Sequence, residues 1–328
     1  MATDPGTATP AASSGGRLQI IDLVRAVALL AMASYHFSWD LEYFGYLEPG
    51  STGHGLFKLY ARSIASSFLF LVGVSLVLAH WPRFRFDGFL KRIAMVAGAA
   101  ALISLATWIA TPDQFIFFGI LHEIALASLL GLAFVRLPPA LTLAVALAVV
   151  ALPQLFRAEF FDAPWLWWVG LSAHVPRSND YVPLFPWFGA VLAGIALTRL
   201  AIATGLRERL QRIRLPGTPL VRLLRFAGRH SLAFYLVHQP VLIAIVWTVS
   251  QILPPAGADP VQAYVASCEQ GCVQDNDMAM CQRFCGCVME ELLGRDLFAP
   301  LQSGAIDPLK DDRVGEIARA CTMRAQTP

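Results

Sequence analysis

The chain has 328 residues, of which 56% are hydrophobic and 15% charged, and its formal net charge is +2 at pH 7. Because an average soluble domain has roughly 25% charged residues, this composition excludes an ordinary soluble protein and predicts an all-α, polytopic membrane protein. The basic residues lie in loops between apolar runs, without the neighbours typical of nucleic-acid sites, so no nucleic-acid partner is expected. Residues 1–16 are small and polar, which predicts a disordered tail and no cleaved signal.

Seven apolar runs approach the length of about 20 residues that a helix needs to cross a bilayer. They are Leu18–Phe37, Phe57–His80, Phe89–Ala110, Phe115–Val135, Pro138–Leu155, Leu184–Ile202 and His230–Leu253. The fifth run is short and begins with two prolines, which suit a helix N-terminus. We therefore predict a bundle of about seven transmembrane helices over residues 17–253.

Basic residues indicate the orientation, because Lys and Arg in short loops stay preferentially on the cytoplasmic side. The loops at 81–92 and 199–229 are rich in arginine, whereas those at 38–62, 111–118 and 156–183 are poor in basic residues. This pattern predicts a cytoplasmic N-terminus and a C-terminus outside. The outer loop at 156–183 contains Trp165, Trp167 and Trp168, which suit the lipid headgroup level; a platform for stacking sugars is the alternative.

The composition changes after residue 253. We expect a linker at 254–266 and a small, Cys-rich helical domain at 267–328, because all six cysteines lie between Cys268 and Cys321. Two pairs have the spacing i, i+4, so an antiparallel α-hairpin would bring the two cysteine faces together. This geometry favours two pairs and leaves a third, which is one of the 15 connectivities that six cysteines allow. The predicted pairs are Cys268 with Cys285, Cys272 with Cys281, and Cys287 with Cys321; a four-cysteine zinc site is the alternative.

The first apolar run keeps four ionisable residues, which are costly in hydrocarbon and mark a functional-site candidate. Asp22 and Arg25 are three residues apart, so they share a helix face and can pair. His36 lies 14 residues beyond Asp22, which is about 21 Å further along a helix, and Asp40 follows one turn later. One helix therefore carries a charged pair at one end and a titratable imidazole at the other.

Four more polar residues lie in the apolar runs, namely His122, Glu123, His238 and Gln239. With the predicted orientation, His122 lies in the outer half of the membrane, as His36 does, and His238 lies near mid-depth. Pro240 follows His238 and predicts a kink that makes room for a cavity. Hydrogen bonding between helices, without chemistry, is the alternative for each residue. Convergence of the histidines favours a site.

Five segments, in this order, resemble the bacterial family related to the catalytic domain of heparan-alpha-glucosaminide N-acetyltransferase. They are RLQIIDLVRAVALLAMASYHFSWDLEYFG, SSFLFLVGVSL, FGILHEIALASLLG, PLFPWFGAVLAGIAL and GRHSLAFYLVHQPVLI. The resemblance covers residues 17–253. Arg25 followed eleven positions later by His36 also resembles the signature of the acyltransferase-3 family, which is the second candidate family. Both resemblances imply acyl transfer.

The first resemblance implies an integral enzyme of the bacterial inner membrane that moves an acetyl group from cytosolic acetyl-CoA to a glycan or amino sugar outside. The C-terminal domain would then be periplasmic, and no metal is expected. In this family the far-side histidine is the acyl acceptor or the general base. The candidate catalytic residues are His36, Asp40, His54, His122 and His238. The candidate substrate-binding residues are Asp22, Arg25, Glu123 and Gln239.

Two histidines compete for the central role. In the lysosomal members the position matching His36 resembles an Asn, and the histidine considered catalytic lies further on, where His54 is the candidate match. We rank His36 first, with Asp40 to orient it, and His54 second.

Two other classes of function stay open, namely a proton-coupled transporter and a non-enzymatic membrane assembly protein. The partner hypotheses are membrane lipid, the acceptor sugar, an extracytoplasmic protein bound through the Cys-rich domain, and a second copy of the chain.

Overall fold

The structure, a computed structural model, describes residues 18–213, 215–255, 259–273, 276–308 and 310–326. Thirteen α helices lie in these ranges, joined by loops with four short 3₁₀ helices, and the predicted all-α fold is confirmed. The predicted tail at 1–16 lies outside the described residues. The α helices are α1 (Gln19–Tyr43), α2 (Gly55–His80), α3 (Phe86–Ala110), α4 (Ile120–Gly131), α5 (Pro139–Leu155), α6 (Leu184–Ala203), α7 (Leu206–Arg212), α8 (Pro219–Arg229), α9 (Ser231–Ile252), α10 (Pro260–Cys272), α11 (Met278–Gly294), α12 (Phe298–Gln302) and α13 (Asp312–Gln326).

Each predicted apolar run overlaps with one of these helices. By length and composition α1, α2, α3, α6 and α9 can cross a membrane, and α4 and α5 are shorter apolar helices. The protein is thus a multi-pass membrane protein. The run at 115–135 forms only α4, which begins at Ile120 because the side chain of Asp180 accepts a hydrogen bond from the Ile120 N–H (2.8 Å) and fixes the helix start.

The chain divides into two compact units. The first contains Met1–Met32 and Ala61–Val237, and the second contains Ala33–Tyr60 and His238–Pro328. Each boundary falls inside a helix, in α1, α2 and α9, so these three helices contribute to both units. The domain boundaries predicted from composition stay predictions.

In the first unit, α2 and α6 cross with their backbones in close contact. A Cβ atom at Gly73 would lie 2.0 Å from the Val191 carbonyl oxygen, and one at Gly194 would lie 2.2 Å from the Phe70 carbonyl oxygen. Each of the two glycines therefore lies against the backbone of the other helix. Small residues of this kind let membrane helices approach closely and gain dispersion contacts. Fully buried leucine and isoleucine side chains surround the crossing, namely Leu69, Leu76, Leu192 and Ile195.

We expect Gly73→Ala to destabilise the first unit by at least about 2 kcal/mol, because its Cβ can be accommodated only if α2 and α6 move apart. Gly98→Ala is the matched control, since a Cβ there meets no atom within 4 Å. In a helix this control is neutral or stabilising by up to about 1 kcal/mol. Thermal unfolding of the purified protein in one detergent measures both. Equal melting temperatures for the two variants would contradict the close crossing.

In the second unit, α10 and α11 form the predicted hairpin, and α13 packs on α11. Three disulfides join Cys268 to Cys285, Cys272 to Cys281, and Cys287 to Cys321. These are the three predicted pairs, and they leave no cysteine for the alternative zinc site. The side chains of Asp259 and Asp277 cap the N-termini of α10 and α11. A small core, with Leu292 and Ile317 fully buried, completes the region.

Candidate active site

Two imidazoles meet in the second unit. The rings of His36 on α1 and His238 on α9 have centroids 5.0 Å apart and planes inclined at 63°, so they make an edge-to-face contact. His238 is buried and His36 is partly buried. The sequence reasoning expected His36, His122 and His238 to converge, and the structure brings His36 and His238 into contact. The structure therefore places two imidazoles in direct contact between α1 and α9.

A carboxylate and an amide lie beside the histidine pair. Oδ1 of Asp40 accepts a hydrogen bond of 2.7 Å from Nε2 of Gln239. The sequence reasoning expected Asp40 to orient His36, but this carboxylate is hydrogen-bonded to Gln239. Asp40 is fully buried. Among the residues that the structure describes, Oδ2 of Asp40 and Oε1 of Gln239 have no hydrogen-bond partner. Such buried acceptor oxygens are costly unless a ligand supplies N–H or O–H donors.

His54 begins the segment that enters α2, and Glu42 of α1 holds the turn before it. The Glu42 carboxylate accepts hydrogen bonds from the N–H groups of Gly50 and Thr52 (2.6 and 2.8 Å) and from the Thr52 hydroxyl (2.6 Å). Nδ1 of His54 lies 2.9 Å from the Gly50 carbonyl oxygen. A carbonyl only accepts, so Nδ1 of the imidazole carries the proton and Nε2 keeps its lone pair. His54 is exposed, and its Nε2 can act as a base.

The Cys-rich region contacts the turn that carries His54. The amide side chain of Gln270, on α10, lies against Gly50 and Gly53, where added Cβ atoms would come within 3.3 and 3.4 Å of it. Gly50 has φ of +84°, a backbone conformation that favours glycine. The hydroxyl of Tyr46 also donates a hydrogen bond of 2.5 Å to the Leu253 carbonyl oxygen. The segment at 45–54 is therefore fixed by α1, by the end of α9 and by α10.

The predicted charged pair on α1 is present in the first unit. Nη1 of Arg25 lies 3.6 Å from Oδ1 of Asp22, which is almost fully buried. Arg25 also donates from Nη2 to the hydroxyl of Ser75 on α2. On the other side, a Cβ at Gly228 would fall 1.9 Å from the Asp22 carbonyl oxygen, so α8 approaches α1 closely there. This cluster links α1 to α2 and α8.

His122 and Glu123 lie at the start of α4 in the first unit. The side chain of His122 caps the N-terminus of this helix. Its Nδ1 accepts from the Gly119 N–H (3.2 Å), so its Nε2 carries the proton and donates to the Ser104 hydroxyl (3.2 Å). Both ring nitrogens are thus engaged within the protein. Glu123 is fully buried, and neither of its carboxylate oxygens has a hydrogen-bond partner among the described residues.

The pH dependence of stability provides a test of the α4 cap. Burial raises the pKa of the Asp180 carboxyl to about 6, and the hydrogen bond from Ile120 opposes the rise. The folded protein therefore holds this proton more tightly than the unfolded chain, whose pKa is near 3.8. We expect stability to fall by at most about 3 kcal/mol as the pH rises from about 4 to about 6.

Asp180→Asn keeps an acceptor oxygen for the Ile120 N–H and removes the charge, so this variant should lose most of that pH dependence. Asp113→Asn, at an exposed position in a neighbouring loop, is the control. Melting temperatures across this pH range measure the effect. A wild-type profile that rises with pH in this window would contradict the assignment.

Sequence reasoning missed four residues of these clusters, namely Glu42, Ser75, Ser104 and Asp180. Glu42 and Asp180 lie at a helix end and in a loop, where acidic residues are ordinary, so only their hydrogen bonds from backbone N–H groups distinguish them. Ser75 and Ser104 lie in apolar helices, where a single hydroxyl gives no signal until its partner is known. In the described ranges, no three His, Cys, Asp or Glu side chains are grouped as metal ligands.

The helices and side chains define a class of protein. It is a multi-pass membrane protein with a histidine pair between two apolar helices. Residues 17–240 match the family model described as heparan-alpha-glucosaminide N-acetyltransferase, catalytic. Because the match covers more than half of the chain, the protein belongs to that family of membrane N-acetyltransferases, and the resemblance found in the sequence is confirmed. No curated protein and no solved structure matches the chain. The region from α10 to α13 lies outside the family match.

Proposed function

We propose that the protein transfers an acetyl group from cytosolic acetyl-CoA to an amine or hydroxyl of an extracytoplasmic glycan or amino sugar. Family membership supports acetyl transfer. The observation that carries the site assignment is the contact of His36 with His238, next to the buried acceptor oxygens of Asp40 and Gln239. An imidazole supplies the base, and the two oxygens supply hydrogen-bond acceptors for the donor groups of the sugar.

The transfer needs one proton to move. The acceptor nitrogen or oxygen attacks the acetyl carbonyl carbon, the new C–N or C–O bond forms, and the C–S bond of the thioester breaks. The proton leaves the acceptor for an imidazole nitrogen and ends on the sulfur of CoA. A histidine that first carries the acetyl group itself gives the same balance in two steps. His36 is our first candidate for this base, and His54, whose Nδ1 is held by the Gly50 carbonyl oxygen, is the second.

Other residues of the proposal hold parts of the site in place. Asp40 and Gln239 contact the acceptor, and Glu42 positions His54. At the other end of α1, Asp22 and Arg25 lie beside α8, whose arginines Arg222, Arg225 and Arg229 suit the phosphates of CoA. We propose that His122 fixes the start of α4 through its two hydrogen bonds. In this proposal Glu123 is a buried residue packed at the same end of α4.

The proposed setting is a bacterial inner membrane, with the N-terminus in the cytoplasm and α10–α13 in the periplasm. The distribution of arginine supports this orientation. Three disulfides support it independently, because disulfides persist in oxidising compartments. The Cys-rich region then covers the segment at 45–54 on the outer side. A second copy of the chain and a periplasmic protein are further partner proposals.

Radiolabelled acetyl-CoA added to inside-out membrane vesicles tests the proposed function. We expect label to appear in vesicle glycan or in an added amino sugar enclosed in the lumen. Right-side-out vesicles from the same cells are the control and should stay unlabelled until they are permeabilised. Absence of labelling in the inside-out vesicles, with the protein shown to be folded by its three disulfides, would contradict acetyl transfer across the membrane.

A proton-coupled transporter is the second candidate, and one observation favours it. Glu123 is fully buried on an apolar helix, with both carboxylate oxygens lacking a partner among the described residues. Carboxylates in such places are frequent in proton relays. Proteoliposomes with an internal pH indicator separate the two functions. Proton uptake that needs Glu123 and occurs without acetyl-CoA would favour transport.

A further inference from the structure

A cavity of about 590 Å³ lies in the first unit, away from the residues discussed so far. Its walls come from α2, α5, α6 and the loop between α5 and α6. One side of it follows a single stripe of α5. The stripe runs through Leu143, Leu147, Val150 and Gln154 and continues to Arg157 just beyond the helix end.

The stripe changes from apolar to polar along its length. The side chains of Leu143, Leu147 and Val150 are exposed on the surface of the first unit. Leu147 keeps 65% of its surface accessible. In a membrane protein such residues face lipid chains. From Leu143 to Gln154 the helix rises about 16 Å, which is roughly half of the hydrocarbon thickness. One end of the cavity is therefore in hydrocarbon, and the other end reaches the interface.

Two cations line the cavity, and one of them lies at its polar end. Arg157 donates from Nε to the Pro153 carbonyl oxygen (3.1 Å), which holds its guanidinium at the end of α5. Arg62, on α2, lines the same cavity together with Ser66, and Ser172 and Tyr181 add hydroxyl groups. Among the described residues that line the cavity, none is Asp or Glu. The end at Arg157 is thus positively charged, and no acidic side chain is among the described lining residues.

Aromatic residues place this end at the membrane interface. Trp165, in the 3₁₀ helix Pro164–Val169, keeps 75% of its surface accessible, and the adjacent Gly170 lines the cavity. Exposed tryptophans of membrane proteins concentrate at the level of the lipid headgroups. A guanidinium at that level contacts phosphates, which it can bind with two parallel hydrogen bonds.

We propose that this cavity binds one anionic membrane phospholipid, with the phosphate between Arg62 and Arg157 and an acyl chain along the Leu143–Leu147–Val150 stripe. The occupant must be both anionic and long-chained, because the cavity joins two arginines to a lipid-facing apolar wall. A soluble phosphate would satisfy only the polar end. This binding site does not depend on the proposed acetyl transfer.

Native mass spectrometry of the detergent-purified protein tests the proposal. The probes are phosphatidylglycerol and phosphatidylcholine with identical acyl chains, and glycerol 3-phosphate is the soluble headgroup. We expect wild-type protein to retain one phosphatidylglycerol in preference to phosphatidylcholine. In Arg62→Gln/Arg157→Gln this preference should fall about 25-fold, since one arginine near an anionic lipid contributes about fivefold. Arg177→Gln, an exposed arginine of the same loop outside the cavity, is the matched control and should keep the preference.

Two results would overturn the proposal. One is a double variant that folds, with a wild-type melting temperature, and keeps the full preference for phosphatidylglycerol. The other is displacement of the bound lipid by glycerol 3-phosphate at equal concentration, which would identify the ligand as a soluble anion. If the double variant does not fold, the single variants are measured separately, and each should lose about fivefold.

Discussion

His36→Ala should lower the rate of acetyl transfer by about 10²- to 10⁴-fold, which is the usual contribution of a positioned general base. His238→Ala should have a smaller effect of about tenfold, because it removes the neighbouring ring and leaves the base. The measurement is the initial rate of labelling in inside-out vesicles, normalised to the amount of protein. His174→Ala is the control, since this histidine is exposed in a loop and forms an ion pair with Asp162 at the surface.

His54→Ala separates the two candidate bases. If His36 is the base, loss of His54 should reduce the rate by less than about tenfold. The reverse order, with near wild-type activity in His36→Ala and loss of activity in His54→Ala, would transfer the catalytic role to His54. Full activity in both variants would remove the histidine site from the proposal while leaving the family assignment intact.

Removal of the Cys287–Cys321 disulfide should weaken the C-terminal helices most. This bond closes the longest of the three loops, with a sequence separation of 34, against 9 for Cys272–Cys281. Chain-entropy estimates give about 3.8 kcal/mol for the longer loop and about 2.6 kcal/mol for the shorter one. We therefore expect Cys287→Ala/Cys321→Ala to lower the opening free energy of α11 and α13 by about 1.2 kcal/mol more than Cys272→Ala/Cys281→Ala does.

Hydrogen exchange of the full-length protein in detergent measures these opening free energies amide by amide. The two double variants are well matched, because each removes one buried cysteine, Cys321 or Cys281, and one partner. Amides of α2 and α6 in the first unit serve as the internal reference and should keep their wild-type protection. Equal losses for the two double variants would contradict the dependence on loop length.

Features that rest on local spacing were predictable from the sequence. The i, i+4 cysteines determine which faces of α10 and α11 meet, so the spacing predicted two of the three disulfides, and the two remaining cysteines formed the third pair. The pairing of Asp22 with Arg25 follows in the same way from a spacing of three. The seven apolar runs gave the helices, because apolar length is a strong signal in a membrane protein.

Contacts between distant residues were not predictable in this way. Asp40 and Gln239 are 199 residues apart, so only the packing of α1 against α9 shows that they share a hydrogen bond. The start of α4 was also not predictable, because the side chain that accepts from its first N–H belongs to Asp180, 60 residues away. Glu42 was passed over for the same reason, since its three partners belong to a turn whose shape the sequence does not determine.

The contact of Gln270 with the turn before His54 gives the Cys-rich region a role that does not require a separate partner. If α10 steadies the segment at 45–54, reduction of the disulfides should loosen that segment and leave α1 and α9 in place. A loss of activity on reduction would then come from the position of His54, and it would be absent in His54→Ala.

The reciprocal glycine contact between α2 and α6 also bears on how the protein assembles. Burial of apolar surface gives membrane helices little reason to associate, since lipid chains are equally apolar. Close backbone contact does favour association. At Gly73 and Gly194 a second helix fits the helix surface more closely than any lipid chain can. The α2–α6 pair is accordingly the part of the bundle that should form first after insertion and separate last in a denaturing detergent.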